Sequence, residues 1–110
     1  MGPPSTGAVV LVPFPFTDLS RAKLRPAIVL ADVDRGDWLL CQVTSNQYAD
    51  VRAVPIAGAD FAIGSLHVDS YARPGRLFSA NEQLMVSHLG KLKAEAFKRV
   101  VQAIVKLIQP

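Results

Sequence analysis

Arg25 closes a proline-punctuated polar stretch, PFPFTDLSRAKL at residues 13–24, and stands directly before Pro26 and the apolar run AIVL. Pro13 and Pro15 withdraw two backbone donors and keep the chain extended, while Thr17, Asp18 and Ser20 favour a turn. Pro26 pushes Arg25 towards extended geometry. A guanidinium fixed at a strand end can hold two phosphoryl oxygens at once and keeps its charge at any physiological pH. The plainer reading of the same residue is an exposed ion pair with Asp18 or Asp32. Thr44 ends the run WLLCQVT, where a threonine is ordinary, explained by β propensity and a local turn with Ser45. In LHVD the alternation predicts a strand with His67 and Asp69 on one face, the side-by-side pair that proton transfer uses, unless it is only the solvated face of that strand. Arg73 and Arg76, in a predicted YARPGR loop, add cations close by.

Other residues offer less. His67 and His88 are far apart in sequence with no companion carboxylate cluster, so no metal-ligand constellation is legible and neither a metal nor a cofactor is expected. His88 reads as a turn or capping residue. Cys41 is the only cysteine and sits among apolar residues, which excludes an internal disulfide and reads as core packing. Trp38 opens an apolar strand and reads chiefly as core, whereas Phe14 and Phe16 flank a proline in an expected exposed loop and are candidates for stacking on a base.

With 110 residues the chain is expected to form one domain over residues 7–110, behind a disordered segment 1–6. No apolar run approaches a membrane span and the start lacks a signal-peptide pattern, so the expected location is the cytoplasm. A net charge of +3 is too small to announce a nucleic-acid binder by itself. From Lys91 onward, however, Lys91, Lys93, Lys98, Arg99 and Lys106 face only Glu95, a distribution that a solvated helix face explains.

Positioning these groups falls to short strands. Apolar, β-branched runs at Val9–Val12, Ala27–Leu30, Trp38–Thr44, Val51–Pro55, Ser65–Asp69 and Leu84–His88 are predicted strands, with Gly36, Asn46, Gly58, Gly64 and Gly75 between them. Strands of that number and length curl into a small bent barrel. Phe97, Val100, Val101, Ile104 and Ile108 recur at helical spacing and predict a C-terminal α-helix packed on the barrel or on a second subunit.

The strings GAVVLVPFPFTDLSRAKLRPAIVL, QVTSN, GSLHVDSYARPGRL and HLGKL, in that order over nearly the whole chain, resemble the PemK/MazF family of toxins from bacterial toxin-antitoxin pairs. The resemblance implies a mainly β, SH3-like curled barrel of five to seven strands with a C-terminal α-helix, forming a homodimer. It implies a metal-independent endoribonuclease that cuts single-stranded RNA by 2′-hydroxyl attack and is silenced by a cognate antitoxin protein. Arg25, Thr44, His67 and Asp69 then fall at catalytic positions, with Phe14, Phe16, Thr17, Lys23, Ser45, Asn46, Arg73 and Arg76 along the RNA. Two departures stand out. His67 occupies a position where some members carry an arginine, and Ala8 one where many carry an aspartate. Two other readings stay open: a non-enzymatic toxin of this fold that inhibits DNA gyrase, and an inactive homologue that only binds its antitoxin. The tail KLIQP does not resemble that of the gyrase binder.

Overall fold

The structure, a computed structural model, describes residues 2–14 and 23–110. The expected contacts Phe16 and Thr17, with Asp18, lie outside the described residues. The elements are β1 (Ala8–Pro13), β2 (Leu24–Asp32), β3 (Asp37–Thr44), β4 (Val54–Ile56), β5 (Phe61–Gly64), β6 (Ser70–Asn81), β7 (Ser87–Leu92) and α1 (Ala94–Ile108). All the pairings are antiparallel, and the seven strands run in the order β4-β6-β3-β2-β1-β7-β5. Laid flat, such a sheet would hold its edges about 29 Å apart. Yet β4 and β5, the two edges, are joined by residues 57–60 alone, and that stretch reaches at most about 18 Å. The sheet therefore curls until its edges approach, as the short-strand pattern predicts, and the molecule measures 30 × 30 × 29 Å.

Curling explains why β1, β2 and β3 read as unbroken apolar runs rather than alternating ones. Val9, Ile28, Cys41 and Val43 point into one cluster, shared with Ile56, Phe61, Ala72, Leu92 and the helix residues Ala96, Val100 and Ile104. Their neighbours Val10, Val12, Ala27, Val29 and Leu40 fill a second cluster with Ala80 and Met85. Both faces of these strands are buried, so both require apolar side chains. The helix presents Ala96, Val100 and Ile104, with Phe97 beside them, whereas Ile108, expected on the same face, is 69 % exposed. The first strand and the helix residues Ala96, Val100 and Ile104 are thus covered within one chain, whereas the sequence leaves the helix face open to a second subunit as well. At the other helix end Arg99 Nη2 donates to Asp60 Oδ1 at 2.8 Å, an exposed pair of less than about 1 kcal/mol.

Three expectations are corrected. Ser65–Asp69 is not a strand but the connection from β5 to β6, with the His67 N–H on Ser65 Oγ at 2.9 Å and His67 at φ +63°. The YARPGR segment is not a loop but the first half of β6. Leu77 lies opposite Cys41 and Ala72 opposite Val43, so residues 73–76 bulge against Gln42 alone. Pro74, which has no N–H to donate, is fully buried in that bulge, where a ladder bond is not needed. His88 is not a cap but an exposed residue of β7, paired with Val10.

Candidate functional site

Register brings the first two candidates together. In the β2–β3 pair Ala27 lies opposite Gln42 and Val29 opposite Leu40, and residues directly opposite share a face. Two positions further along, the same register puts Arg25 level with Thr44. Ala27, Val29 and Leu40 all enter the second apolar cluster, so Arg25, Gln42 and Thr44 continue that face towards the end of the sheet. Tyr71 pairs with Thr44 and Lys23 precedes β2, so the starts of β2 and β6 and the end of β3 meet at one rim. Phe14 and Lys23 close the base of the connection between β1 and β2, where Phe14 N–H donates to the Lys23 carbonyl at 3.1 Å.

Thr44 is buried, 5 % exposed, and its Oγ1 accepts the N–H of Asn46 at 3.1 Å. An accepted bond on one lone pair leaves the hydroxyl proton able to donate elsewhere. Ser45 and Asn46 are exposed beside it. His67 and Asp69 do not project from a strand face, but both line a pocket of about 410 Å³ with Phe61, Leu66 and Val68. The connection that carries them enters β6 at the rim holding Arg25 and Thr44. Phe14 departs from its expected exposure: it is 4 % exposed and packs edge-on against Phe78 with ring centroids 5.2 Å apart. Trp38 is half-buried, its Nε1 donating to Glu82 Oε2 at 3.0 Å. Cys41 is buried, its thiol pushed up to about 12 by desolvation and donating to the Arg73 carbonyl at 3.3 Å, as a core residue.

Gln42 escaped the reading of the sequence, although the one polar residue inside LLCQVT was a signal. It is 6 % exposed, and its Oε1 has no hydrogen-bond partner among the described residues. A buried orphan acceptor costs about 1–3 kcal/mol. Gln42→Leu, of similar volume and without the amide, is therefore expected to raise the melting temperature. A fall would mean that the amide is paired in solution.

The second cation at the rim is Arg73. Its Nε donates to Asp50 Oδ2 at 3.1 Å, with the two side chains only 17 % and 16 % exposed, and its guanidinium lies 4.9 Å from the centre of the Tyr48 ring. Asp50 Oδ1 also accepts the N–H of Arg52 at 2.9 Å. That backbone bond, and then Arg73, hold the Asp50 carboxyl below its ordinary value. A carboxyl depressed by folding adds stability above the unfolded value of about 3.9 and loses it as pH falls through the folded value. Protection of the amides of residues 46–52 from hydrogen exchange, taken relative to the intrinsic rate at each pH, is thus expected to fall below about pH 4, and in Asp50→Asn to be low already at neutral pH. Asp60, held down by the Ala57 N–H and by Arg99, titrates in the same direction, so the Asp50→Asn comparison is what assigns the effect. Arg76 is exposed on the same bulge.

Among the described residues no group of three His, Cys, Asp or Glu side chains forms a metal cluster, and no helix is long and apolar enough to cross a membrane. The family model described as PemK-like, MazF-like toxin of type II toxin-antitoxin system matches residues 5–108. No curated protein matches the chain. In structure it is similar to MazF from Deinococcus radiodurans, at TM-score 0.78 and 20 % identity with all of both chains covered. It is also similar to the MazE-MazF complex of the same organism, at 0.75 and 21 % with 97 % of each chain covered. A third likeness is to an endoribonuclease in complex with its cognate antitoxin from Mycobacterial species, at 0.72 and 13 %, covering 98 % of this chain and 95 % of that one.

Proposed function

Because the chain belongs to the family of PemK-like, MazF-like toxins of type II toxin-antitoxin systems, we propose that it is a sequence-specific endoribonuclease acting on single-stranded RNA. The observation that carries this reading is the β2–β3 register through Ala27 and Gln42, whose continuation by two residues would set Arg25 level with Thr44 on one face. In the proposed reaction the substrate's 2′-oxygen attacks the adjacent phosphorus and the 5′-oxygen leaves. The 2′-hydroxyl proton is taken by a base, a second proton goes to the leaving oxygen, and the products are a 2′,3′-cyclic phosphate and a 5′-hydroxyl. Arg25 balances the charge that gathers on the phosphoryl oxygens, and Thr44 donates to one of them. His67 and Asp69, sharing one pocket, are the proton-transfer pair. The scheme draws on no metal, since the guanidinium supplies the compensating charge.

The remaining parts follow from the same rim. Two chains form a homodimer with Lys23, Ser45, Asn46, Arg73 and Arg76 of each along the RNA path. The cognate antitoxin is a protein with an acidic extended segment that lies over Arg25 and blocks the phosphate site. A gyrase inhibitor would need neither Arg25 nor Thr44, so their common face favours the nuclease.

The test is incubation of the purified protein with a long unstructured RNA in excess EDTA, with chemical mapping of the fragment ends. Discrete cuts bearing cyclic phosphates are expected. RNA left intact across varied sequences, with the protein folded and the antitoxin absent, would overturn the reading.

A further inference from the structure

We propose that Tyr48 is a nucleobase-stacking platform, a subsite that holds one unpaired base of single-stranded RNA next to the phosphate at Arg25 and Thr44. The inference rests on the nuclease reading and adds a specific contact to it. Of the aromatic rings considered for stacking, Phe14 is buried and Trp38 is tied to Glu82. Tyr48, by contrast, is 52 % exposed.

Three observations converge on this ring. The first is its backing: the Arg73 guanidinium lies over it at 4.9 Å and is itself held by Asp50 at 3.1 Å. A ring fixed against a cation keeps a planar surface in place without an ordering cost on binding, and a positive neighbour suits a polyanion. The second is its backbone. Tyr48 and Ala49 both sit at φ +55°, in a turn closed by Asp50 N–H on the Gln47 carbonyl at 3.0 Å. Such positions favour glycine or asparagine, and an aromatic residue there is costly. Core burial cannot be what retains it, because the side chain is exposed; strain kept without burial is a mark of functional positions. The third is location. Tyr48 N–H donates to Asn46 Oδ1 at 2.9 Å, and Asn46 N–H donates to Thr44 Oγ1 at 3.1 Å. The loop carrying the ring is thus hydrogen-bonded to the hydroxyl proposed to touch the scissile phosphate. Every base has a π-face, so a stacking ring grips the strand whatever the sequence, while neighbouring polar groups read it.

The experiment uses an RNA whose cut has been mapped, made uncleavable by a 2′-deoxy sugar at the scissile nucleotide, with 2-aminopurine placed at each position in turn. Binding to the intact protein should quench the probe strongly at one position. Tyr48→Leu should abolish that quenching and weaken binding about 5- to 150-fold, the range of base–aromatic stacking, while Tyr48→Phe stays within about twofold of the unaltered protein. Tyr48→Asn, a residue suited to the left-handed turn, should show the same loss and so separate the ring from the turn's geometry. An abasic nucleotide at the quenched position should weaken binding and remove any further effect of Tyr48→Leu. Unchanged affinity in the Leu and Asn variants, with cleavage intact, would overturn the platform and leave the nuclease standing. Weakened antitoxin binding with RNA binding unaffected would also overturn it, making Tyr48 a protein contact. Failure of the unaltered protein to bind or cut RNA would remove both readings.

Discussion

Arg25→Ala is expected to lower single-turnover RNA cleavage about 10²- to 10³-fold, the usual loss when one donor to a developing oxyanion is removed. Arg25 is half-buried at the start of β2, opposite Val12. Arg25 belongs to neither apolar cluster, so truncation removes the charge without opening the core. Melting temperature should therefore change little, and the loss should fall on the chemical step. Arg25→Lys gives the sharper reading. It keeps the charge and gives up the planar two-point grip, and cleavage should recover to roughly a tenth of normal if charge supplies most of the stabilisation. Equal loss in the Lys and Ala variants would instead make the fork's geometry the requirement. The assay is a 5′-labelled RNA with enzyme in excess, read as the rate of appearance of the cut product. Cleavage at the normal rate in Arg25→Ala would remove this residue from the reaction.

What could be read in the sequence, and what could not, divides along one physical line. Val9–Val12, Ala27–Leu30 and Trp38–Thr44 were legible as strands because both of their faces are buried, and the chain writes that as uninterrupted apolar residues. Arg25 was legible as a candidate because it opens such a run, and Thr44 because QVTSN resembles the family's threonine-serine pair. By contrast, β6 was hidden: Pro74 and Gly75 look like a break, and only pairing with β3 on both sides turns them into a bulge. The LHVD alternation mimicked a strand, while the local bond from His67 N–H to Ser65 Oγ decided for a turn. The importance of Tyr48 depends on Arg73 and Asp50, partners brought together by the fold alone. Signals carried by one segment survive in the sequence, and signals that need two segments do not.

The largest loss of stability is expected from Gly64→Ala, a change of one methyl group. Gly64 sits at φ +72°, where a side chain is strained whatever space surrounds it, and its added Cβ would strike the Leu89 carbonyl oxygen and lie 2.8 Å from Gly90 Cα. Those atoms are backbone of β7, the only strand that pairs with β5 among the described residues, and they cannot rotate aside. Gly90 is equally confined, for a Cβ there would lie 2.5 Å from the Ile63 carbonyl oxygen and 2.9 Å from the Phe61 ring. The two strands approach this closely because neither residue has a side chain. Adding one costs about 1–3 kcal/mol for the left-handed backbone and about as much again for overpacking. Losing the β5–β7 pair would free Phe61 from the main apolar cluster and release Asp60, whose carbonyl accepts the Lys93 N–H at 2.8 Å just before α1. Chemical denaturation should thus show Gly64→Ala to be several kcal/mol less stable than the unaltered chain, with Gly90→Ala also destabilised. Gly58→Ala is the control: its Cβ meets nothing within 4 Å and its φ is unexceptional, so that variant should unfold within about 0.5 kcal/mol of the unaltered chain. If Gly64→Ala matched the control, the close approach of β5 to β7 would have to be abandoned.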